Sequence, residues 1–392
     1  MSDESPREIY LDHAASTPMR PEAQAAWLAA AQQHHANPTG SHRAARAARR
    51  ALDDARDELA AALGRHPEEV VFTSGGSEAD NLAVRGVLGA RGGLAVCSAG
   101  EHHAVLEPVE KAGGRTVALE ADGSVNPAKL AAVLQELAAD ASDDVSLVSV
   151  MSVNNETGVV NDIPALVAAT REHAPEALFH TDAVQALAWV DIANHVADAD
   201  LVSITGHKAG GPVGAGALFV RKGITLDPLV LGGGQERGRR AGTPDVAGAC
   251  AFAAAVAVTT KNRDAELVRL ADLRDRLIGG LTQRLGDAVT VTVANGGATV
   301  VPGIVHVMLD GVDAEALLYL LDAAGLRASA ASSCSSGAQE PSHVLAAMGV
   351  PREWAQGSLR LSLGHTTTQA DIDDAIEIVD AAVKRLALFG GG

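Results

Sequence analysis

Between about residues 50 and 220 the chain alternates short apolar runs with helical or turn-like stretches, and that alternation leaves few folds open. Residues 70–73, 94–97, 117–120, 145–153, 178–181, 201–205 and 217–220 read as strands. Residues 77–88 and 102–112 read as helices between them. Strands this continuously apolar are buried on both faces, as in a mainly parallel sheet covered by helices. In such sheets ligands bind beyond the carboxyl ends of the strands. Ser74, Glu101, Asn154, Asp182 and Lys208 all fall at or just past such ends, so a site is expected where they converge.

The second part of the chain reads differently. A long helix is expected from Asp245 to about Leu285, with alternating charges in its middle. Strands at 289–293, 303–309 and 358–362 and helices at 314–324 and 368–388 then suggest a smaller α/β unit. With 392 residues the chain exceeds one ordinary core. The expected fold class is therefore α/β: a large domain over 15–260 built on a seven-stranded-type, mainly parallel sheet, and a small α/β domain formed by 1–14 and 261–392. The formal net charge of −18 argues against a nucleic-acid or anionic-membrane partner. The N-terminus has no signal-peptide core, and the longest apolar stretch, near 246–258, is too short to span a bilayer, so a cytoplasmic location is expected. Cys97, Cys250 and Cys334 are too widely spaced for a disulfide framework or a metal site.

Lys208 is the hardest residue to explain structurally. It follows the apolar run Leu201-Val-Ser-Ile-Thr-Gly-His207, and a cation at the end of a buried strand is costly without a chemical task. A Schiff base to an aldehyde such as pyridoxal phosphate (PLP) is the task that fits best. Asp182 closes the preceding apolar run and can pair with a protonated pyridine nitrogen, or serve as a plain strand-end cap. Thr73-Ser-Gly-Gly76-Ser77 opens a helix after a strand, which suits a phosphate on backbone N–H groups or an ordinary N-cap. Thr205 and His207 add phosphate-compatible donors beside Lys208.

Other residues leave two readings open. His102 can stack on a flat cofactor or face solvent at a helix start. Asn154-Asn155-Glu156-Thr-Gly158 is a turn or a contact for substrate, and Gln185 is a ring-oxygen partner or a helix surface residue. The glycine- and arginine-rich stretch 231–243 is a flexible linker or a loop bringing cations to a phosphate. Arg360, alone in an apolar strand, needs an anion: a substrate carboxylate held bidentately, or an internal salt bridge. Cys334 sits among small residues that leave its thiol accessible as a nucleophile, or it is incidental. Cys97 and Cys250 read as packing residues.

Taken in order, these segments resemble the cysteine desulfurases, fold-type I PLP enzymes of the class V aminotransferase group. The resemblance runs from Ile9-Tyr-Leu-Asp-His-Ala-Ala-Ser-Thr-Pro18 through Asn37-Pro38, Ser41-His42, Ser74-Gly-Gly-Ser-Glu78, Glu101-His102 and Val153-Asn-Asn-Glu-Thr-Gly158. It continues through Asp182-Ala-Val-Gln185, Ser203-Ile-Thr-Gly-His-Lys208, Glu236-Arg-Gly238, Gly242-Thr243, the Cys334 segment with Glu340-Pro-Ser342, and Arg360-Leu-Ser-Leu-Gly364. It implies that Lys208 holds PLP, Asp182 pairs the pyridine nitrogen and His102 stacks on the ring. Ser77, Thr205, His207 and the Gly76 backbone would bind the phosphate. Thr243 would reach the phosphate of a neighbouring subunit in a homodimer. Asn155 and Gln185 would contact substrate and the ring hydroxyl, Arg360 would clamp the carboxylate of L-cysteine, and Cys334 would take the sulfur as a persulfide, leaving alanine.

Some residues depart from the family pattern. His103 stands where relatives often carry lysine or glutamine, and the segment reads Ala-Ser-Ser-Cys334 in place of Gly-Ser-Ala-Cys. The spacing from Cys334 to Glu340 resembles the branch with a long, mobile loop. The chain stops soon after its last helix, so the scaffold-docking extension of some relatives is not expected. The sulfur acceptor is then open among iron–sulfur cluster, tRNA and thio-cofactor synthesis. Selenocysteine lyase, another PLP reaction of the same fold, and a non-catalytic binding partner are the competing expectations.

Overall fold

Strands buried on both faces need helices on both, and the chain supplies them. The computed structural model describes residues 7–139, 144–293, 297–330 and 342–389. Its first part contains β1 (Ile9–Tyr10), α1 (Pro21–Gln33), α2 (Arg43–Ala62), β2 (Val70–Thr73), α3 (Gly76–Arg91), β3 (Leu94–Ser98), α4 (His103–Lys111) and β4 (Arg115–Val117). These are followed by α5 (Pro127–Ala138), β5 (Val145–Ser149), α6 (Ile163–His173), β6 (Leu178–Asp182), α7 (Ile192–His195), β7 (Leu201–Thr205) and β8 (Gly216–Val220). One seven-stranded sheet has the order β2-β8-β7-β6-β5-β3-β4. The strands β4, β3, β5, β6 and β7 pair in parallel, whereas β8 is antiparallel to both β7 and β2. The connection 206–215 between β7 and β8 is too short for a helical crossover, so the chain must reverse there. Lys208 lies in that reversal.

Consecutive strand residues feed opposite cores, as a two-residue period demands. Val96, Val148, Phe179, Val202 and Phe219 join one apolar cluster with residues of α2, α5, α6 and the start of the long helix α8 (Val246–Leu285). Their neighbours Cys97, Leu147, Leu178, Leu201 and Leu218 join another with α3 and α4. The strand expected at 117–120 is shorter and earlier, Arg115–Val117 at the sheet edge, and the one expected at 145–153 ends at Ser149. Helices α1 and α2 were not anticipated from apolar periodicity. Helix α1 buries only Ala23 and Ala30, which gives little contrast with its exposed face, whereas α2 sets Ala48, Leu52, Ala55 and Leu59 against a face of arginines and acids.

The remaining elements are β9 (Val289–Val291), β10 (Ile304–Leu309), α9 (Ala314–Ala323), β11 (Leu326–Arg327), α10 (His343–Ala347), α11 (Arg352–Ala355), β12 (Ser358–Ser362) and α12 (Gln369–Phe389). β10 runs antiparallel between β9 and β12, and β1 pairs in parallel with β11. Helix α8 belongs to both parts. Phe252 and Val256 pack in the large-sheet cluster, while Leu270, Leu273, Leu277 and Leu281 pack with Val305, Val307, Leu359, Leu361 and the α12 residues Ile372 and Val379. The Asp245 side chain caps its start by accepting from Gly248 N at 2.9 Å.

The stretch 231–243 is anchored, which overturns its reading as a flexible linker. Glu236 and Arg237 hold left-handed φ values of 46° and 57°, unfavourable for side-chain-bearing residues. The buried Glu236 carboxylate offsets that cost. It accepts from both terminal nitrogens of Arg56 at 2.8 Å and from Phe72 N at 3.0 Å. Arg56 also donates to Val70 O at 2.7 Å and lies 4.7 Å over the Phe72 ring. Arg240 pairs with Glu78 at the start of α3 at 2.8 Å. Glu236→Ala leaves the Arg56 cation buried and unpaired, and is expected to lower the unfolding free energy by about 3–5 kcal/mol. Urea denaturation followed by circular dichroism checks this.

Candidate active site

The reversal after β7 sets Lys208 against the ends of β6 and β7, over a cavity of about 320 Å³. Asp182, the last residue of β6, lines it. Asp182 accepts a hydrogen bond from Val184 N at 2.8 Å. Burial raises its pKa to about 6, against the lowering influence of that amide and of Lys208. The Lys208 amine donates to Ala15 O at 2.7 Å and to Ala14 O. The amide of Gln185 donates to the same Ala14 carbonyl at 2.7 Å, so Gln185 is a cavity residue and not a helix-surface one.

One end of the cavity is the N-terminus of α3. Gly75, with φ 146°, precedes it, and Gly76 and Ser77 form its first turn and line the cavity. A Cβ on Gly76 would lie 2.7 Å from Val184, so only glycine lets the helix approach the end of β6 this closely. The first N–H groups of a helix have no partner inside it and form an anion site. His207 joins this end of the cavity. Thr205 does not line it. Its buried hydroxyl lies 3.1 Å from His207 Nδ1 and 3.1 Å from Ala215 O, so it acts on the cavity through His207. Burial and then the Lys208 charge lower the pKa of His207 to about 4.

His102 stands at the start of α4 but turns to the cavity rather than to solvent, with Nδ1 accepting from Ala104 N at 3.1 Å. Burial and the Lys208 charge hold its pKa at about 4, so the ring is a neutral flat face at pH 7. The polar turn divides its labour. Asn154 builds it, its Oδ1 accepting from Glu156 N and Thr157 N at 2.9 Å, whereas Asn155 faces the cavity. Arg360 donates to Asn155 O at 2.8 Å and to Asp12 Oδ1 at 2.9 Å, while its buried Nε has no hydrogen-bond partner among the described residues. The internal salt bridge is therefore formed, within a side chain that also lines the cavity.

Thr243 lies apart from these residues, exposed beside a cleft formed by Ser74, Gly216, Glu236 and Arg240. Cys334 and Glu340 lie outside the described residues. Ala328 and Ser329, shortly before Cys334 in sequence, line the Lys208 cavity. Cys97 is fully buried and its thiol pKa is pushed up by desolvation, while Cys250 is half-buried and shifted the same way. Sequence reasoning missed Asp12, which pairs Arg360, and Asp80 on α3, which lines the cavity beside Asp182. The signal for Asp80 was a carboxylate among the apolar residues that bury α3.

Residues 9–374 match the aminotransferase class-V family. The chain is 42% identical to an IscS-like cysteine desulfurase of Mycobacterium tuberculosis, over 98% of this chain and 99% of the other. Among solved structures it is similar to a NifS-like protein from Rickettsia africae, with a TM-score of 0.87 and 29% identity over 96% of this chain and 100% of the other. It is also similar to SspA in complex with cysteine, with a TM-score of 0.71 and 28% identity over 91% of this chain and 98% of the other. The chain belongs to the class-V aminotransferase family and, within it, to the PLP-dependent cysteine desulfurases. The residues present fit PLP. A primary amine, a buried carboxylate, a neutral imidazole face and a helix N-terminus with His207 surround one cavity, and they match an aldehyde, a pyridine nitrogen, a ring and a phosphate.

Burial also sets the pH response. Desolvation lowers the pKa of His13, His180 and His306 to about 3 and of His102, His207 and His365 to about 4. Unfolding returns each to about 6.5, so the unfolded chain binds more protons between those values. Their contribution is fully present above about pH 6.5 and is lost as pH falls toward 4. Asp80, Glu101, Asp182 and Glu156, whose pKa values burial raises, act in the opposite sense and offset part of it. The expected outcome is a lower Tm at pH 5.5 than at pH 7.5, with net proton uptake on unfolding near pH 6. Calorimetry in buffers of differing ionisation enthalpy checks both.

Proposed function

We propose that this protein uses PLP to convert L-cysteine to L-alanine, passing the sulfur to Cys334 as a persulfide and then to an acceptor. The observation that carries the proposal is a single cavity lined by Lys208, Asp182, His102 and Arg360, whose wall at Ala328 and Ser329 leads in sequence to Cys334. The solved relative with bound cysteine supports the substrate.

Bound PLP supplies an electron sink that lets a Cα proton leave and the Cβ–sulfur bond break. The protein does the rest. Lys208 would hold the aldehyde carbon of the cofactor, and its amine would be the base that takes and returns the substrate Cα proton. Asp182 keeps the ring nitrogen protonated, and His102 packs its neutral face on the ring. The Gly76 and Ser77 end of α3 and His207, oriented by Thr205, hold the phosphate. Gln185 and Asn155 position the ring hydroxyl and the substrate. Arg360 is shared with Asp12, and its guanidinium takes the substrate carboxylate. The balance closes without an external reductant: cysteine and the Cys334 thiol give alanine and the Cys334 persulfide.

Thr243, exposed and away from the cavity of its own chain, suits a reach to the phosphate of a second subunit in a homodimer. The chain divides into a large unit over 15–260 and a small unit of 1–14 with 261–392. Among the described residues no helix is long and apolar enough to cross a membrane, which suits a cytoplasmic enzyme. The acceptor serves iron–sulfur cluster, tRNA or thio-cofactor synthesis.

Incubation with PLP and L-cysteine is expected to yield alanine and a Cys334 peptide heavier by one sulfur. Cys334→Ala should lower alanine formation roughly 10²-fold or more. Undiminished turnover in that variant would move the assignment to a selenocysteine lyase or another class-V reaction. Arg360→Lys keeps the charge but loses the fork, and KM for cysteine is expected to rise about tenfold, or about 1.4 kcal/mol.

A further inference from the structure

Asp182 is not the only carboxylate beneath the cavity. Asp80 on α3 and Glu101 after β3 are 1% and 0% exposed, beside Asp182 at 6%. Asp80 Oδ1 and Glu101 Oε2 are buried and have no hydrogen-bond partner among the described residues. The other Glu101 oxygen accepts from Met151 N at 2.7 Å. The ionisable groups facing them do not neutralise them. Nε2 of His180 on β6 lies 3.7 Å from Asp80, but the His180 ring nitrogens sit 2.8 Å from Ser149 Oγ and 2.9 Å from Ser203 Oγ, and burial keeps the ring neutral. Cys97 on β3 faces Glu101 as a buried thiol, and the α10 residue His343 reaches only the Glu101 backbone carbonyl, at 2.9 Å. The Lys208 charge acts on Asp182.

We propose that Asp80 and Glu101 are held as neutral carboxylic acids, leaving Asp182 the one ionised member of the three. Three ionised carboxylates in one desolvated volume repel one another strongly. The proton settles where burial is deepest and compensation weakest. The pKa values of Asp80 and Glu101 are raised well above the ordinary range by desolvation and then by Asp182, which outweigh one hydrogen bond each, from Ser203 and from Met151 N, whereas at Asp182 both the Val184 amide and the Lys208 charge restrain the rise. Were Asp80 or Glu101 ionised, its field would push a proton onto Asp182 and remove the charge that a pyridinium needs. This consequence for the ring nitrogen rests on the PLP reading, whereas the protonation itself does not.

The test is infrared difference spectroscopy of the full-length protein, freed of cofactor, at pH 7.5. The wild type is expected to show the C=O stretch of protonated carboxyl groups. Asp80→Asn and Glu101→Gln should each remove part of that band, and the double variant most of it. Both substitutions are near-isosteric and neutral, and Glu101→Gln keeps an acceptor for Met151 N. Visible-absorbance titration with PLP should then give Kd values within about threefold of wild type for both variants (~0.65 kcal/mol), and a much weaker Kd for Asp182→Asn. A wild type without the acid band, or a band unchanged in both variants, overturns the protonation. PLP binding weakened in Asp80→Asn or Glu101→Gln as severely as in Asp182→Asn overturns the assignment of Asp182 as the one ionised member. A protein with the acid band that takes up no PLP would instead contradict the proposed function and leave the protonation standing.

Discussion

The parallel alignment of β6 and β7 is the constraint on which the rest of the site depends. Parallel strands end together, so Asp182 and Thr205 come out at the same edge of the sheet. The next step is forced by length. A connection too short to cross over must turn back, and the turn into antiparallel β8 carries His207 and Lys208 across that edge. Helix α3 starts beside the same edge because Gly76 lets it close on Val184. A carboxylate, an amine and an anion-binding helix end are thus brought together by sheet geometry before any side chain chooses a partner.

Charges gathered in that way have to be kept apart or neutralised, and the structure does both. The cavity histidines His102 and His207 are neutral because burial and Lys208 disfavour a second cation, and His180 beneath them is neutral through burial alone. Arg360 is matched by Asp12 and by the Asn155 carbonyl. Away from the cavity, Glu236 neutralises Arg56 and in doing so fixes a loop with two residues in left-handed conformations. In each case the burial penalty is met locally, which lets the cavity keep one amine and one carboxylate for chemistry.

Much of this was legible in the sequence because it depends on local signals. The strand that ends in Asp182, the helix opened by Gly76-Ser77 and the capped long helix after Asp245 announce themselves by apolar runs, glycines and caps. Pairings distant in sequence were not legible. Nothing near Arg56 signals Glu236, and nothing near Arg360 signals Asp12, because each pair is made only when separate elements pack. Thr205 shows a third kind of difficulty. Its type and position suit a phosphate donor, yet its hydroxyl is turned to His207 and Ala215, a choice fixed by the β7–β8 pairing. Helix α1 escapes periodicity for the opposite reason, since it buries only Ala23 and Ala30 and so shows little contrast.

The segment from Leu11 to Thr17 explains how the small sheet takes part in a site built on the large one. Leu11 is buried among the small-sheet residues Leu359 and Leu361, and Leu11 O accepts from Ser362 N at 2.7 Å. Asp12 pairs Arg360 on β12. Ala14 O and Ala15 O then accept from Lys208 of the large-sheet reversal, and Thr17 N donates to His207 O at 3.0 Å. One short segment, folded through a turn in which Ala15 N and Ser16 N donate to Asp12 O, is thus bonded on one side to the strand carrying Arg360 and on the other to the turn carrying Lys208. Gln185 also donates to Ala14 O, so that carbonyl has a second donor besides Lys208. The segment ties the turn that carries the amine to the strand that carries the guanidinium and so fixes the spacing between them.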